Sequence, residues 1–158
     1  MATATPIRNW RMPVDKVQLG SKFGVIDQWH KAPGHRGVDF NGLPEGTPLK
    51  AVADGMKVVL NKALKDSTVL GNVIVLQVGS KFFGYCHMHE QSPLKVGTVV
   101  NAGDVIGHLG NTGTASDGAH LHFTLSDTDT GVFSGDVFDA YAFIKAAMAE
   151  NKKKKTAK

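Results

Sequence analysis

With one cysteine in 158 residues, Cys86, the chain has no internal disulfide framework and cannot build a finger- or ribbon-type structural zinc site, which needs at least two thiolates. Cys86 follows Tyr85 inside an apolar run, so a buried, unreactive thiol is expected. Long hydrophobic runs are absent too: nothing approaches the ~18–20 consecutive apolar residues of a membrane-spanning helix. The first residues, Met1 to Pro6, lack the basic stretch and apolar stretch of a secretory leader, so cytoplasmic synthesis without a signal peptide is expected. Helical periodicity is scarce, and repeats and inter-domain linkers are missing.

Basic charge is abundant only at one end. The net charge is +4, but five of the 18 Lys/Arg lie in the tail Lys152–Lys158. Residues 1–151 carry 13 bases against 14 acids, a net of −1. The body therefore offers no basis for nucleic-acid binding, and a monomer is expected. The tail, expected to be disordered, reads first as a solvated segment, with electrostatic attachment to an anionic polymer such as wall teichoic acid, membrane or nucleic acid as the alternative.

The chain length fits a single domain, 1–151, and the punctuation is that of an all-β protein. Leu49–Ala53 and Met56–Leu60 read as short strands about the turn Asp54-Gly55. Val73 to Val78 is a β-branched run typical of a buried strand, and Phe82 to Met88 returns after Gly79-Ser80-Lys81 as its hairpin partner. Val96 to Gly107 repeats the rhythm of short strand and glycine turn. Residues 1–14, with Pro6, Trp10 and Pro13, read as an extended lead-in packed by the tryptophan. One helix is expected over about 136–150, capped by Asp136, with Val137, Tyr141, Ile144 and Met148 on one face. The fold class is mainly β: an antiparallel sheet forming a groove, with a C-terminal helix.

The chemistry centres on Gly118-Ala119-His120-Leu121-His122-Phe123, a strand by its alternation. Residues i and i+2 of a strand share a face, so His120 and His122 project together as a metal-ligand or acid/base pair. Upstream, His35-Arg36-Gly37-Val38-Asp39 supplies a further histidine and a carboxylate.

These motifs, with Phe23-Gly24, Gly46-Thr47-Pro48, Ala53-Asp54-Gly55, Gly71-Asn72, Tyr85-Cys86-His87-Met88, Val96-Gly97, Gly103, Ile106-Gly107 and Gly110-Asn111-Thr112-Gly113, resemble the lysostaphin-like (LytM-type) zinc metalloendopeptidases. The resemblance covers about residues 20–126. It implies cleavage of peptide bonds in bacterial peptidoglycan, stem peptide or cross-bridge, with one Zn2+ per chain. It also implies His35, Asp39 and His122 as metal ligands, and His87 and His120 as active-site histidines that do not bind the ion. Some members of the family have lost ligands and act only as binding partners or activators; here every position keeps the expected residue type. Three departures are Ala119 for a proline, Thr124 for an acid and Met88 for a leucine.

Two imidazoles and one carboxylate leave a fourth position for water, the pattern of a catalytic zinc. One of His87 and His120 would then accept a proton, and the other would serve the oxyanion or leaving amine. His89 forms a second His-x-His with His87 but reads as a rim residue, His30 as an exposed loop histidine with groove lining as the alternative, and His108 receives no role. The implied setting is a phage endolysin released through a holin-type exit. A virion-associated hydrolase and a bacterial wall-remodelling enzyme are the alternatives. A carrier-domain reading of Leu49–Val59 and Val96–Gly110, with Lys57 as the modified lysine, is the rival from another class.

Overall fold

The structure, a computed structural model, describes residues 6–156. Nine strands and one α-helix follow in chain order among the described residues, with a 3-10 turn at Leu64–Asp66: β1 Val38–Phe40, β2 Pro48–Lys50, β3 Met56–Lys62, β4 Asn72–Val78, β5 Lys81–Met88, β6 Val99–Val100, β7 Val105–His108, β8 Leu121–Ser126, β9 Val137–Phe138 and α1 Ala140–Thr156. Seven strands form one antiparallel sheet in the order β1-β8-β5-β4-β3-β6, with β9 also paired to β8. Strands β2 and β7 form a separate two-stranded sheet. Thus the mainly β architecture with one C-terminal helix is what the chain adopts.

Alternation along the strands divides the large sheet into two faces. Phe40, Ile74, Leu76, Phe83, Tyr85, Leu121, Phe123 and Leu125 point to one side and are buried there with Leu49, Met56, Ile106 and Ile144. At this core Phe83 stacks on Phe123 with ring centroids 5.6 Å apart, and Tyr85 meets Phe123 edge-on at 5.0 Å. The opposite face holds Val73, Val75 and Cys86, which form a smaller apolar cluster with Val132. Asp39, His122 and Thr124 share that second face by the same alternation. The thiol of Cys86 is buried, and burial pushes its pKa up.

Several expectations hold. The β4–β5 hairpin forms about Gly79-Ser80, and Trp10 packs edge-on against Phe83 at 5.8 Å and Phe143 at 5.5 Å. Residues 1–5 of the lead-in lie outside the described residues.

Three expectations are corrected. Leu49–Ala53 and Met56–Leu60 do not pair with each other: β2 pairs with β7, and β3 pairs with β4 and β6. Asp54-Gly55 instead joins the 101–104 loop, because Asp54 Oδ1 accepts from Ala102 N at 3.0 Å and Gly55 N donates to Asn101 Oδ1 at 3.0 Å. The helix begins at Ala140, not near 136, since Val137 and Phe138 extend the sheet opposite Ser126 and Leu125. Its cap is Asp139, whose Oδ1 accepts from Ala142 N at 3.0 Å, rather than Asp136. The helix also runs on through Thr156, past the expected end near 150. Lysine is a good helix former, and cations suit a helix C-terminus. Ala157 and Lys158 lie outside the described residues.

Lys57 sits within β3, opposite Gln77 and Val99, not at a hairpin tip. That placement removes the basis of the carrier-domain reading.

Candidate metal centre

Asp39 and His122 are direct cross-strand partners in the β1–β8 register. Opposed residues of an antiparallel pair have Cβ atoms only ~4.5–5.5 Å apart, so the two side chains meet above the sheet. His122 Nδ1 lies 3.1 Å from Asp39 Oδ1. His35, in the loop entering β1, brings its Nε2 to 3.0 Å from His122 Nδ1 and 3.3 Å from Asp39 Oδ1. The other nitrogen of His35 is 3.2 Å from the Lys22 carbonyl, an acceptor, so Nδ1 carries the proton and Nε2 keeps its lone pair.

Three electron-pair donors therefore converge in a triangle of 3.0–3.3 Å sides. Tetrahedral coordination with bonds of ~2.0–2.1 Å requires ligand-to-ligand separations of about 3.3 Å. The donor set and its spacing fit a small divalent cation such as zinc with one coordination position left over. The approach depends on Gly37: a Cβ there would stand 2.6 Å from the Phe123 carbonyl oxygen and 2.8 Å from the His122 ring.

His87 and His120 flank the triangle, their rings 4.9 Å apart. His87 Nδ1 donates to the Thr112 carbonyl at 2.7 Å and His120 Nδ1 to the Gly118 carbonyl at 2.8 Å. Carbonyls only accept, so both rings carry the proton on Nδ1 and present Nε2 as an acceptor. His120 Nε2 is 4.0 Å from Asp39 Oδ1. His87 is reached by an unusual backbone: its φ is +60°, the left-handed region that few non-glycine residues adopt. Tyr85 faces the core and Cys86 the groove side, so strict alternation would leave His87 on the core face. The left-handed residue, beside an irregularity in the β4–β5 register, turns it toward the triangle. Such strain is typical of functional sites.

Electrostatics follow from burial and from these contacts. Burial alone would raise the Asp39 pKa, yet the His122 and His35 rings beside it outweigh that and hold the carboxyl well below its usual range. Burial lowers the pKa of His87 to about 4, assisted by His120 and His122 and opposed by the Thr112 carbonyl. His122 is lowered as well, by burial against the pull of Asp39. All five residues except Asp39 are thus histidines in a groove of about 840 Å³, with His87 and His122 held neutral.

The Peptidase family M23 profile matches residues 33–133. This chain belongs to peptidase family M23. The catalytic domain of lysostaphin, an antimicrobial peptidase from Staphylococcus simulans, aligns with a TM-score of 0.66 and 31% identity, over 82% of this chain and 92% of that one. A zinc-containing peptidase from Vibrio cholerae aligns with a TM-score of 0.65 and 30% identity, over 75% of this chain and 37% of its own. The murein hydrolase activator NlpD of Escherichia coli is 29% identical over 123 residues, 78% of this chain and 29% of that protein. The DD-carboxypeptidase/endopeptidase Mpg of Neisseria meningitidis is 32% identical over 117 residues, 70% of this chain and 25% of that protein. The chain spans less than a third of the length of these curated relatives.

In this M23 domain the five residues singled out from the sequence come together in one groove. His89 does not join them: its side chain is half exposed, 3.7 Å from Glu45. His108 pairs with Glu90 at 2.6 Å, outside the groove. His30 comes closer than its loop position suggested. Its ring lies 4.0 Å from that of His35, and His30, His35 and Asp39 bring ligand atoms within 4.8 Å of one another. That looser triad shares two members with the triangle; the triangle, with its 3.0–3.3 Å sides, is the better match to coordination geometry. His30 Nδ1 is held 2.9 Å from Asp27 Oδ1, which also caps the Trp29 and His30 amides at 2.9 Å. The one sequence signal for this arrangement was Asp27 three residues before the histidine.

Proposed function

We propose that this M23 domain is a zinc-dependent endopeptidase that hydrolyses peptide bonds of bacterial peptidoglycan. The observation that carries the proposal is the triangle of His35 Nε2, Asp39 Oδ1 and His122 Nδ1, flanked by two histidines with acceptor nitrogens. These three atoms would hold the ion. When bound, zinc supplies a Lewis acid for the scissile carbonyl and a water whose pKa falls to ~7.

The chain's own residues do the rest. His120 takes a proton at Nε2, with Nδ1 anchored on the Gly118 carbonyl so that the ring cannot turn away. Burial weakens His87 as a base, which suits it poorly to that role. His87 can offer an Nε2–H only as the imidazolium, because its Nδ1–H is committed to Thr112. Negative charge growing on the substrate oxygen would favour that form. The groove walls, with Trp29, Val69, Leu70 and Phe133, exclude water from one side of the peptide.

The names of lysostaphin, a peptidase, and of Mpg, a DD-carboxypeptidase/endopeptidase, support this reading. The similarity to NlpD supports a second one, activation of another murein hydrolase without cleavage. The complete donor triangle favours catalysis. A phage lysis enzyme is the setting we add to the proposal, and genomic neighbourhood tests it. Digestion of purified walls, followed by mass spectrometry of the released peptides, tests the reaction. New amino termini that appear with zinc and vanish with chelator support it. Intact peptides from a zinc-loaded protein that still stimulates a partner hydrolase would favour the activator.

A further inference from the structure

The groove wall is tied to the loop carrying His35 through one side chain, Arg36. Strands β1 and β9 lie along the same edge of β8, the first pairing with residues 121–123 and the second with 125–126. Arg36 sits where the chain enters β1, and residues 131–135 lead into β9. Its Nη1 donates to the Gly135 carbonyl at 2.9 Å and its Nη2 to the Gly131 carbonyl at 2.8 Å. The planar fork thus bridges both ends of one short loop. Between those two anchors stand Val132 and Phe133, both lining the groove. Val132 is 4% exposed and covers Val73, Val75 and Cys86 on the outer face of the sheet. It packs so closely over β5 that a Cβ on Gly84 would lie 2.6 Å from its Cγ2. Phe133 is 37% exposed, an aromatic side open to the groove beside the metal centre.

We propose that Arg36 is a positioning residue that sets substrate preference. By bridging Gly131 and Gly135 it holds Val132 and Phe133 as an apolar wall, which favours peptides with a small apolar side chain beside the scissile bond over glycyl peptides. The proposal rests on the endopeptidase reading for its consequence but not for its geometry. A lysine at this position keeps the charge, yet a single ammonium cannot reproduce the fork across two carbonyls four residues apart.

The test uses the zinc-loaded full chain with Arg36→Lys and Arg36→Met. Amide hydrogen exchange over residues 131–135 should accelerate at least tenfold in both, with zinc content unchanged. Two synthetic peptides, alike except for alanine or glycine beside the scissile bond, read the preference. Wild type should favour the alanyl peptide by about tenfold, the low end for one methylene in an apolar pocket. Both variants should reduce that ratio to about threefold or less, mainly through KM on the alanyl peptide. Unaltered exchange at 131–135 overturns the clamp; faster exchange with an unaltered ratio overturns its role in preference. If zinc-loaded wild type cleaves neither peptide, the endopeptidase reading fails, and the ratio of the two peptides' Kd values then decides the Arg36 proposal by the same thresholds.

Discussion

His122 meets His35 through Nδ1, the two nitrogens lying 3.0 Å apart, while Asp39 Oδ1 closes the triangle at 3.1 and 3.3 Å. Nitrogens this close, each with a lone pair toward the other, repel unless a proton or a cation lies between them. The contact therefore separates ligands from neighbours. Alanine at His35, Asp39 or His122 should reduce bound zinc to well under a tenth of an equivalent. His120→Ala, His30→Ala and His87→Asn, which tolerates the left-handed backbone, should keep about one zinc per chain. Hydrolysis should still fall by ~10²–10⁴-fold for the His87 and His120 variants, as for loss of a general acid or base. Plasma mass spectrometry on dialysed protein checks the metal. If His30→Ala loses zinc while His122→Ala keeps it, the looser triad is the binding site.

Gly37→Ala should damage the centre without touching a ligand. The new methyl would press on the Phe123 carbonyl and on the His122 ring. The overpacking should destabilise the metal-free protein by about 1–3 kcal/mol. Zinc affinity should drop at least tenfold in a chelator competition. An unchanged affinity would show that β1 and β8 can part at no cost to the triangle.

The metal-free protein should lose stability as pH falls from about 6.5 toward 4. His87 has a folded pKa lowered to about 4, so between those values the unfolded chain binds the proton and the folded one does not. Stability from this group is therefore complete above pH 6.5 and lost on acidification, by at most about 3 kcal/mol. His122 is lowered too and acts with the same sign. Asp39, also lowered, adds a further loss at more acid pH, below the ordinary carboxylate value. Urea midpoints in the presence of chelator at pH 4.5 and 7 measure this, and His87→Asn should flatten the slope.

Asn111 supports His120 indirectly. Its Oδ1 accepts from Ser116 Oγ at 2.6 Å and from Gly118 N at 2.9 Å, and the Gly118 carbonyl in turn accepts from His120 Nδ1. Losing that anchor should cost one or two hydrogen bonds of ~1 kcal/mol each. Asn111→Ala should lower kcat about 5–30-fold with zinc content unchanged, and should displace the pH profile. A rate equal to wild type would assign Asn111 to loop structure alone.

The lysine tail is proposed to serve wall affinity. Removing residues 152–158 should weaken sedimentation with anionic walls at ~0.01 M salt, where the Debye length is about 30 Å, and matter little at 1 M. Cleavage of a small peptide should be unchanged. Equal wall binding by the truncated and full-length proteins at low salt would return the tail to a solvated segment.

Residue alternation made part of the centre legible. A period of two put His120 and His122 on one face of a strand, while His35, Asp39 and His87 came from the resemblance of the ordered motifs; the pairing of Asp39 with His122 across β1 and β8 is a product of the fold. Residue type and motif order then supplied the chemistry, and a single cysteine excluded thiolate sites. These properties are local, fixed by covalent geometry and side-chain polarity.

Tertiary structure decided what local rules leave open. His87 reaches the groove only because its backbone is left-handed, which alternation contradicts and only the Leu70 and Thr112 contacts support. Asp54-Gly55 had the residues of a hairpin turn, yet hydrogen bonds from the 101–104 loop captured it. Asp136 was the expected cap, but pairing of Val137 and Phe138 with β8 delays the helix, and Asp139 caps it instead. His30 and Arg36 gained their places through contacts with residues close in sequence for the first and about a hundred positions away for the second. A sequence specifies which groups can bond; where several partners would serve, the fold that satisfies the most of them at once makes the choice.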